Sequence, residues 1–298
     1  SQGCSLAMMM GIISKNLVHE DYGMRNGFIS SGAAVIGSAL GPIFIAKLIQ
    51  YYEWNTVFLI TGLLMLVSAV LTQFSVEEVR CAVQQNSDSG QQWIDSVREL
   101  FQNRNYVLCF VIGLLETAAN LCISVFAPLY YSDVMGFDSI QKGWFLSLKG
   151  FAFIPVSLII PVIADRMPAK HVMAGTFALS VIAPICAFLI PGTMASAVIL
   201  AIFGSWAGVT VSLFVYMIPR ASLPEHLHSV ANGIILGCAV LVGGCLAPML
   251  MSALIESGWR IEYVLGLCGV TLAVCAVMSG LIRGRTGVFQ AQKTAAKA

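Results

Sequence analysis

Glu116 and Lys149 are the residues of this chain that most need a chemical reason to be where they are. Each lies inside a run of apolar residues, Glu116 eleven positions into Tyr106–Leu129 and Lys149 five positions inside Trp144–Ile163. A charge deep in hydrocarbon costs roughly 2.5–3.5 kcal/mol even on lenient insertion scales, and such residues face a cavity, a partner or an ion path. Asn120 follows Glu116 by one turn on the same helical face. If the two runs return antiparallel, the long stem of Lys149 could bring its ammonium near the Glu116 carboxylate. Two chemistries then fit. Either the lysine attracts an anion while the carboxyl exchanges a proton or pairs with the lysine in the empty site, or the two form a structural pair, with the lysine able to snorkel to water. Trp206, set between Gly204 and Gly208, could line the same path or pack in the core. Tyr130 and Tyr131, at the end of their run, read as interfacial anchors.

Other chemistries find no residues to carry them. No serine–histidine–acid set, glycine-rich phosphate loop or metal-ligand spacing is visible, so neither cofactor nor metal is expected and nucleic acid is not an expected partner. His226 and His228 beside Glu225 read as a solvated loop. Cys81 lies in a polar segment, and the other eight cysteines fall within apolar runs as small packing residues.

The elements that must position Glu116 and Lys149 are membrane helices. The chain is 58% hydrophobic and 10% charged, against about 25% charged residues in soluble domains. Spans are expected at 1–13 (a partial one), 28–49, 57–74, 106–129, 144–163, 172–190, 194–218, 233–255 and 264–282, helical because lipid leaves every backbone group to be satisfied within the segment. The polar interval 77–105 ends in Trp93, Ile94, Val97, Leu100 and Phe101 at helical spacing, a short amphipathic helix lying on the membrane or docked on the protein's own loops. Alternating loops place Lys15, Arg25, Arg80, Arg98, Arg104, Arg166, Lys170, Arg220, Arg283, Arg285, Lys293 and Lys297 on one side, twelve of sixteen basic residues. By the positive-inside rule that side, with the central loop and C-terminus, is cytoplasmic.

One stretch occurs twice. Asn26-Gly27, Ala33, Gly37, Leu40 and Pro42 recur 206 residues later as Asn232-Gly233, Ala239, Gly243, Leu246 and Pro248, and Trp54 is followed in the same order by Trp259. Ala33, Gly37 and Gly41 make a smooth helical stripe, as do Ala239, Gly243 and Ala247. A period this long separates two halves of one architecture.

The segment Ala164-Asp165-Arg166-Met167-Pro168-Ala169-Lys170, in the loop after the second span of the later half, resembles the signature loop of the major facilitator superfamily, G-x-x-x-D-R-x-x-R/K. Asp165, Arg166 and Lys170 match it, and Pro161 stands at its glycine. Gly37 to Pro42 resembles the opening of that family's antiporter motif, with Ile45 and Ala46 in place of its closing glycines. Arg25-Asn26-Gly27 through Trp54 and Phe58 is similar to the organic anion:cation symporter branch, although Gln2-Gly3 stands where that branch often has an acidic residue.

The resemblance implies an all-α membrane protein, a major facilitator-type helical bundle with nine of twelve transmembrane helices in this sequence. The implied organisation is a truncated N-terminal bundle at 1–75, a cytoplasmic central loop with its surface helix at 76–105, a C-terminal six-helix bundle at 106–283 and a cytoplasmic tail at 284–298. It further implies secondary active transport by alternating access. The solute would be a small organic anion moved with protons or another ion, in a monomer in the bacterial inner membrane. A proton-coupled drug or metabolite exporter is the alternative; a membrane-embedded enzyme or receptor is the reading from another class. Glu116, Lys149, Asn120 and Trp206 are then the substrate or coupling candidates. Asp165, Arg166 and Lys170 form a cytoplasmic latch facing the positive end of the helix beginning near Asn26. Gly37, Gly41, Pro42, Gly243 and Pro248 are the helix-packing hinge beside the interface between halves, where leucine at Gly37 or Gly243 is expected to stop transport.

Overall fold

The computed structural model describes residues 35–75, 89–224 and 227–282, and every regular element among them is a helix. The partial span expected at 1–13, the start of the next one, Glu225, His226 and the C-terminal tail lie outside the described residues. A π turn, Val35–Leu40, leads into α1, Gly41–Tyr51, followed by α2, Trp54–Ser75. After the central interval come α3 (Ser89–Gln102), α4 (Arg104–Asp133), α5 (Ser139–Arg166) and α6 (Ala169–Leu189). Then α7, Met194–Phe203, breaks into a 3-10 turn (Trp206–Thr210), a π turn (Ser212–Met217) and short α8 (Ile218–Ser222). Finally α9 (His228–Leu241) passes through a π turn (Val242–Leu246) into α10 (Ala247–Glu256), and α11 spans Ile261–Gly280.

Seven segments of described chain are long and apolar enough to cross a membrane: Trp54–Leu71, Arg104–Asp133, Ser139–Ala164, Ala169–Leu189, Met194–Met217, Val230–Glu256 and Ile261–Gly280. They overlap seven of the expected spans one for one, and the π turn with α1 is the described part of an eighth. Their ends are set locally. Asn103 caps α4 by accepting from the backbone N–H of Asn105 (3.0 Å) and Tyr106 (3.3 Å), while its Nδ2 donates to the Ser222 carbonyl (2.9 Å) and ties α4 to the end of α8. Asp138 and Gln141 start α5 with reciprocal bonds of 2.7 and 3.1 Å, a capping box.

The duplicated stretch shares an irregularity at one register. Gly41 and Ala247 are images under the 206-residue shift, and each opens an α-helix directly after a π turn, with Pro42 or Pro248 as its second residue. A proline in mid-helix has no N–H for the carbonyl four residues back, and its ring crowds that carbonyl. Widening the preceding turn relieves both problems. The same proline therefore makes the same bulge twice.

Packing centres on α4, which lies against α9, the Val242–Leu246 turn and α11, while α11 in turn lies along α6. Gly266 and Gly269 permit that last contact, since a Cβ on them would stand 3.1 Å from Phe188 and 3.0 Å from Ile185. The π turn at Val35–Leu40 and α1 lie along α5. At the end of α3, Leu100 is fully buried and Phe101 meets Tyr106 and Phe110 edge-on, so this turn docks on α4 while Ile94 stays open.

Candidate functional site

Where the later part of α4 faces the earlier part of α5, the chain builds a polar layer inside an apolar bundle. Ser124 Oγ donates to the Asn120 carbonyl one turn earlier (2.8 Å) and accepts from Lys149 Nζ (2.7 Å). The Lys149 carbonyl accepts from Ser205 Oγ (3.3 Å), which brings the break in the α7 helix to the same level. Just beyond, a Cβ on Gly208 would stand 2.9 Å from Asn120 Nδ2 and 3.8 Å from the Phe153 ring. Trp206 lies between, its ring 4.5 Å from that of Phe203, and its buried Nε1 has no hydrogen-bond partner among the described residues. Asn120, Lys149 and Trp206, read separately from the sequence, thus belong to one layer. Ser124, Ser205 and Phe153 join it. Ser124 was legible as the next step of the Glu116–Asn120 face, and Phe153 as one turn beyond Lys149.

The break in α7 has a physical cause. Gly204 packs against the Leu200 carbonyl with no room for a side chain, and Gly208 against Asn120. The tight 3-10 turn that follows is compensated by the wider π turn at Ser212–Met217. Asn232, with its amide nitrogen turned toward the carbonyls, donates to Val215 in that turn (2.6 Å) and to His228 (3.2 Å). Broken helices at mid-membrane are tolerated where they line a cavity or are held by protein.

Glu116 stands apart from Lys149. Ser124 is eight residues further along α4, about 12 Å along the axis at ~1.5 Å per residue, and no ion pair joins the lysine to Glu116 among the described residues. Glu116 is fully buried. Its Oε2 accepts from Thr117 Oγ1 (3.1 Å), and its Oε1 has no partner among the described residues. One turn away the Ile112 carbonyl faces Cys275 Sγ of α11 at 4.0 Å, and Thr117 itself carries the π turn: a Cβ on Gly243 would stand 2.7 Å from the Thr117 carbonyl carbon. The expected Glu116–Lys149 contact is thus two separate polar positions. The difference is one of reach: an antiparallel count sets Lys149, five positions inside its span, opposite Ser124, five positions before Leu129, and the lysine stem bonds there rather than extending eight residues further to Glu116.

Two further expectations change, for the tyrosine pair and for the packing partners of the glycine stripes. Tyr130 and Tyr131 are buried rather than interfacial: Tyr130 Oη lies 2.8 Å from Ser196 Oγ, and Tyr131 Oη donates to the Ala197 carbonyl (3.3 Å). Tyr131 also packs with Phe137 and Phe145, so the pair fastens α4 to the start of α7. In the hinge, Gly243 packs against Thr117 and Ala118 of α4. Nothing among the described residues lies within 4 Å of a Cβ built on Gly37. The close approach made by the first copy uses a neighbouring face instead. Gly150 of α5 lies against the Ser38 and Ala39 backbone, and a Cβ on Gly143 would stand 2.6 Å from Ala46 Cβ and 3.2 Å from the Pro42 carbonyl oxygen. Gly143, Ser147 and Gly150 form one buried face at spacings of four and three residues, and that spacing was readable. Arg166 ends α5 and is exposed, and Lys170 is half-buried at the start of α6. The Asn26 end of the proposed latch lies outside the described residues.

No three histidine, cysteine or acidic residues gather as a metal site among the described residues. The geometry offers a cation, an amide, an indole N–H and aromatic rings within the membrane-spanning segments, with a buried carboxyl two turns along α4, nearer the middle of that helix.

Comparison with known proteins agrees with this architecture. Residues 1–247 match the family model described as Major Facilitator Superfamily. An uncharacterized transporter of Bacillus subtilis, YycB, is 26% identical over 177 residues, which cover 55% of this chain and 43% of the relative's length. Among solved structures, the E. coli fucose:proton symporter FucP is similar with a TM-score of 0.65 at 10% identity, covering 90% of this chain and 70% of FucP. FucP in the outward conformation gives 0.64 with the same coverage.

Proposed function

The chain belongs to the major facilitator superfamily, and from that premise we propose that it is a secondary active transporter moving a small organic anion by alternating access, with proton or ion symport. The observation that carries this reading is Lys149. Its ammonium is held within the membrane-spanning segments by a serine hydroxyl with no carboxylate in ion-pair reach among the described residues, which suits an anionic guest. The fully buried Glu116, set two turns off, is the coupling group in this reading. The proton and the solute then occupy different positions on one helix.

The surrounding assignments are part of the same proposal. The close-packed face of Ala39, Pro42 and Ala46 on Gly143 and Gly150 is where the two halves rock. Asp165, Arg166 and Lys170 serve as the latch on the cytoplasmic side, which also holds the central loop and the C-terminus. Residues 1–75 belong to the earlier bundle and 106–283 to the later one, and the working unit is a monomer in a cell membrane. Uptake of labelled organic acids into proteoliposomes, with and without an imposed pH gradient, tests the reading. Accumulation driven by inward proton movement is expected; gradient-driven efflux of cationic drugs without acid uptake would replace it with export, and no flux of either kind would end it.

A further inference from the structure

Resting on the reading of the Lys149 layer as a solute site, we propose that its solute is a singly charged organic acid with a flat apolar body, its carboxylate at Lys149 and its body against the Trp206–Phe203 pair and Phe153. The charge follows from the count. Among the described residues Lys149 is the charged side chain of the layer, and Ser124 is its partner. An ammonium has three N–H donors, so two remain for a guest. One carboxylate neutralises this site; a second would enter the layer without a cation, and a buried charge without a partner is strongly unfavourable.

The orientation follows from the donors. Trp206 Nε1 is buried without a partner among the described residues, and Asn120 Nδ2 faces the bare Cα of Gly208. A buried donor left unmade is costly, so a carboxylate that bridges from Lys149 toward Trp206 relieves both groups. The body follows from the wall: Trp206 and Phe203 lie 4.5 Å apart at 48°, and Phe153 is one turn along α5 from Lys149, beside the same glycine. A wall of flat rings stacks better on a planar group than on a branched one.

Calorimetric titration of the purified full chain with benzoate, terephthalate and benzamide tests this, because the three share a ring and differ in charge. Benzoate is expected to bind at least about 10-fold more tightly than either comparator. Lys149→Met should bring benzoate down to the benzamide level. Trp206→Phe, which keeps a ring and removes the N–H, should weaken benzoate about 3- to 10-fold without moving the thermal unfolding midpoint. Terephthalate binding as tightly as benzoate, benzamide matching it in the unaltered protein, or no binding of any probe would each overturn the proposal. Uptake of other labelled acids without benzoate binding would remove this solute class and leave transport standing. Lys149-dependent benzoate binding with no flux of any solute would uphold the site and remove the transport reading.

Discussion

Lys149 Nζ is held by Ser124 Oγ at 2.7 Å, two helical turns from the carboxyl of Glu116. Groups that share a hydrogen bond respond non-additively to mutation, whereas sites more than about 7–10 Å apart usually add within ~0.3–0.5 kcal/mol. A double-mutant cycle on thermal unfolding in detergent separates the two arrangements. Ser124→Ala with Lys149→Met should show coupling of about 1.5–3 kcal/mol, the range for hydrogen bonds to charged groups. Glu116→Gln with Lys149→Met should be additive. Strong coupling in the second pair and none in the first would mean that the lysine reaches the carboxyl after all.

The two glycine stripes should part company in stability. Gly243 has the Thr117 and Ala118 backbone within 2.9 Å of where a Cβ would stand, while Gly37 has no described atom within 4 Å. Overpacking a tight contact costs typically about 1–3 kcal/mol, and backbone cannot rotate away as a side chain can. Gly243→Ala should therefore lower the unfolding midpoint by several degrees, and Gly37→Ala should leave it unchanged. Equal loss in both variants would remove the distinction drawn between them.

If the halves rock at the α1–α5 face, pinning that face should stop transport. A Cβ on Gly143 would stand 2.6 Å from Ala46 Cβ, short of the ~3.5–4.5 Å that a disulfide spans between Cβ atoms, so the two helices need part by only about 1 Å to admit the bridge. In a background with the native cysteines replaced, Ala46→Cys with Gly143→Cys should cross-link on oxidation, lose flux, and regain it with a reductant. Cross-linking that leaves flux intact would show that this face stays closed throughout the cycle.

How far the sequence reached depends on which residues held the information. The spans, the repeat and the prolines were legible because long apolar runs and proline act through the backbone, whatever surrounds them. The shared π turns before Gly41 and Ala247 follow from those prolines, although no periodicity announces them. Lys149 and Glu116 were visible as charges in lipid, and counting the two spans antiparallel sets Lys149 opposite Ser124; the direction in which a long lysine stem reaches along the neighbouring helix was not legible. Burial of Tyr130 and Tyr131 was hidden for the opposite reason: an aromatic near a span end suits lipid and protein alike, and only the nearby Ser196 and Ala197 decide the matter. The glycines that make the close approach, Gly143 and Gly150, lie on the helix opposite the stripe that drew attention. A stripe shows that something packs closely without showing which partner does.

Coupling is expected to reside in Glu116 and nowhere in the Lys149 layer. The carboxyl is fully buried, one oxygen is bonded to Thr117 and the other is bare among the described residues. Thr117 also bears on Gly243 of the second π turn, so any movement of that turn changes what surrounds the carboxyl. A charge there is tolerated only when water or a partner reaches it, which links proton exchange to the position of the helix. Glu116→Gln keeps the shape and fixes the neutral form. Solute counterflow, which needs no net proton movement, should continue at near the normal rate, while uptake should stop responding to a pH gradient. Thr117→Val, which removes the hydroxyl and keeps the bulk against Gly243, should retain gradient-driven uptake with a reduced maximum rate. Gradient-driven accumulation that persists in Glu116→Gln would place the coupling group elsewhere, and loss of counterflow in the same variant would make the carboxyl part of the solute site instead.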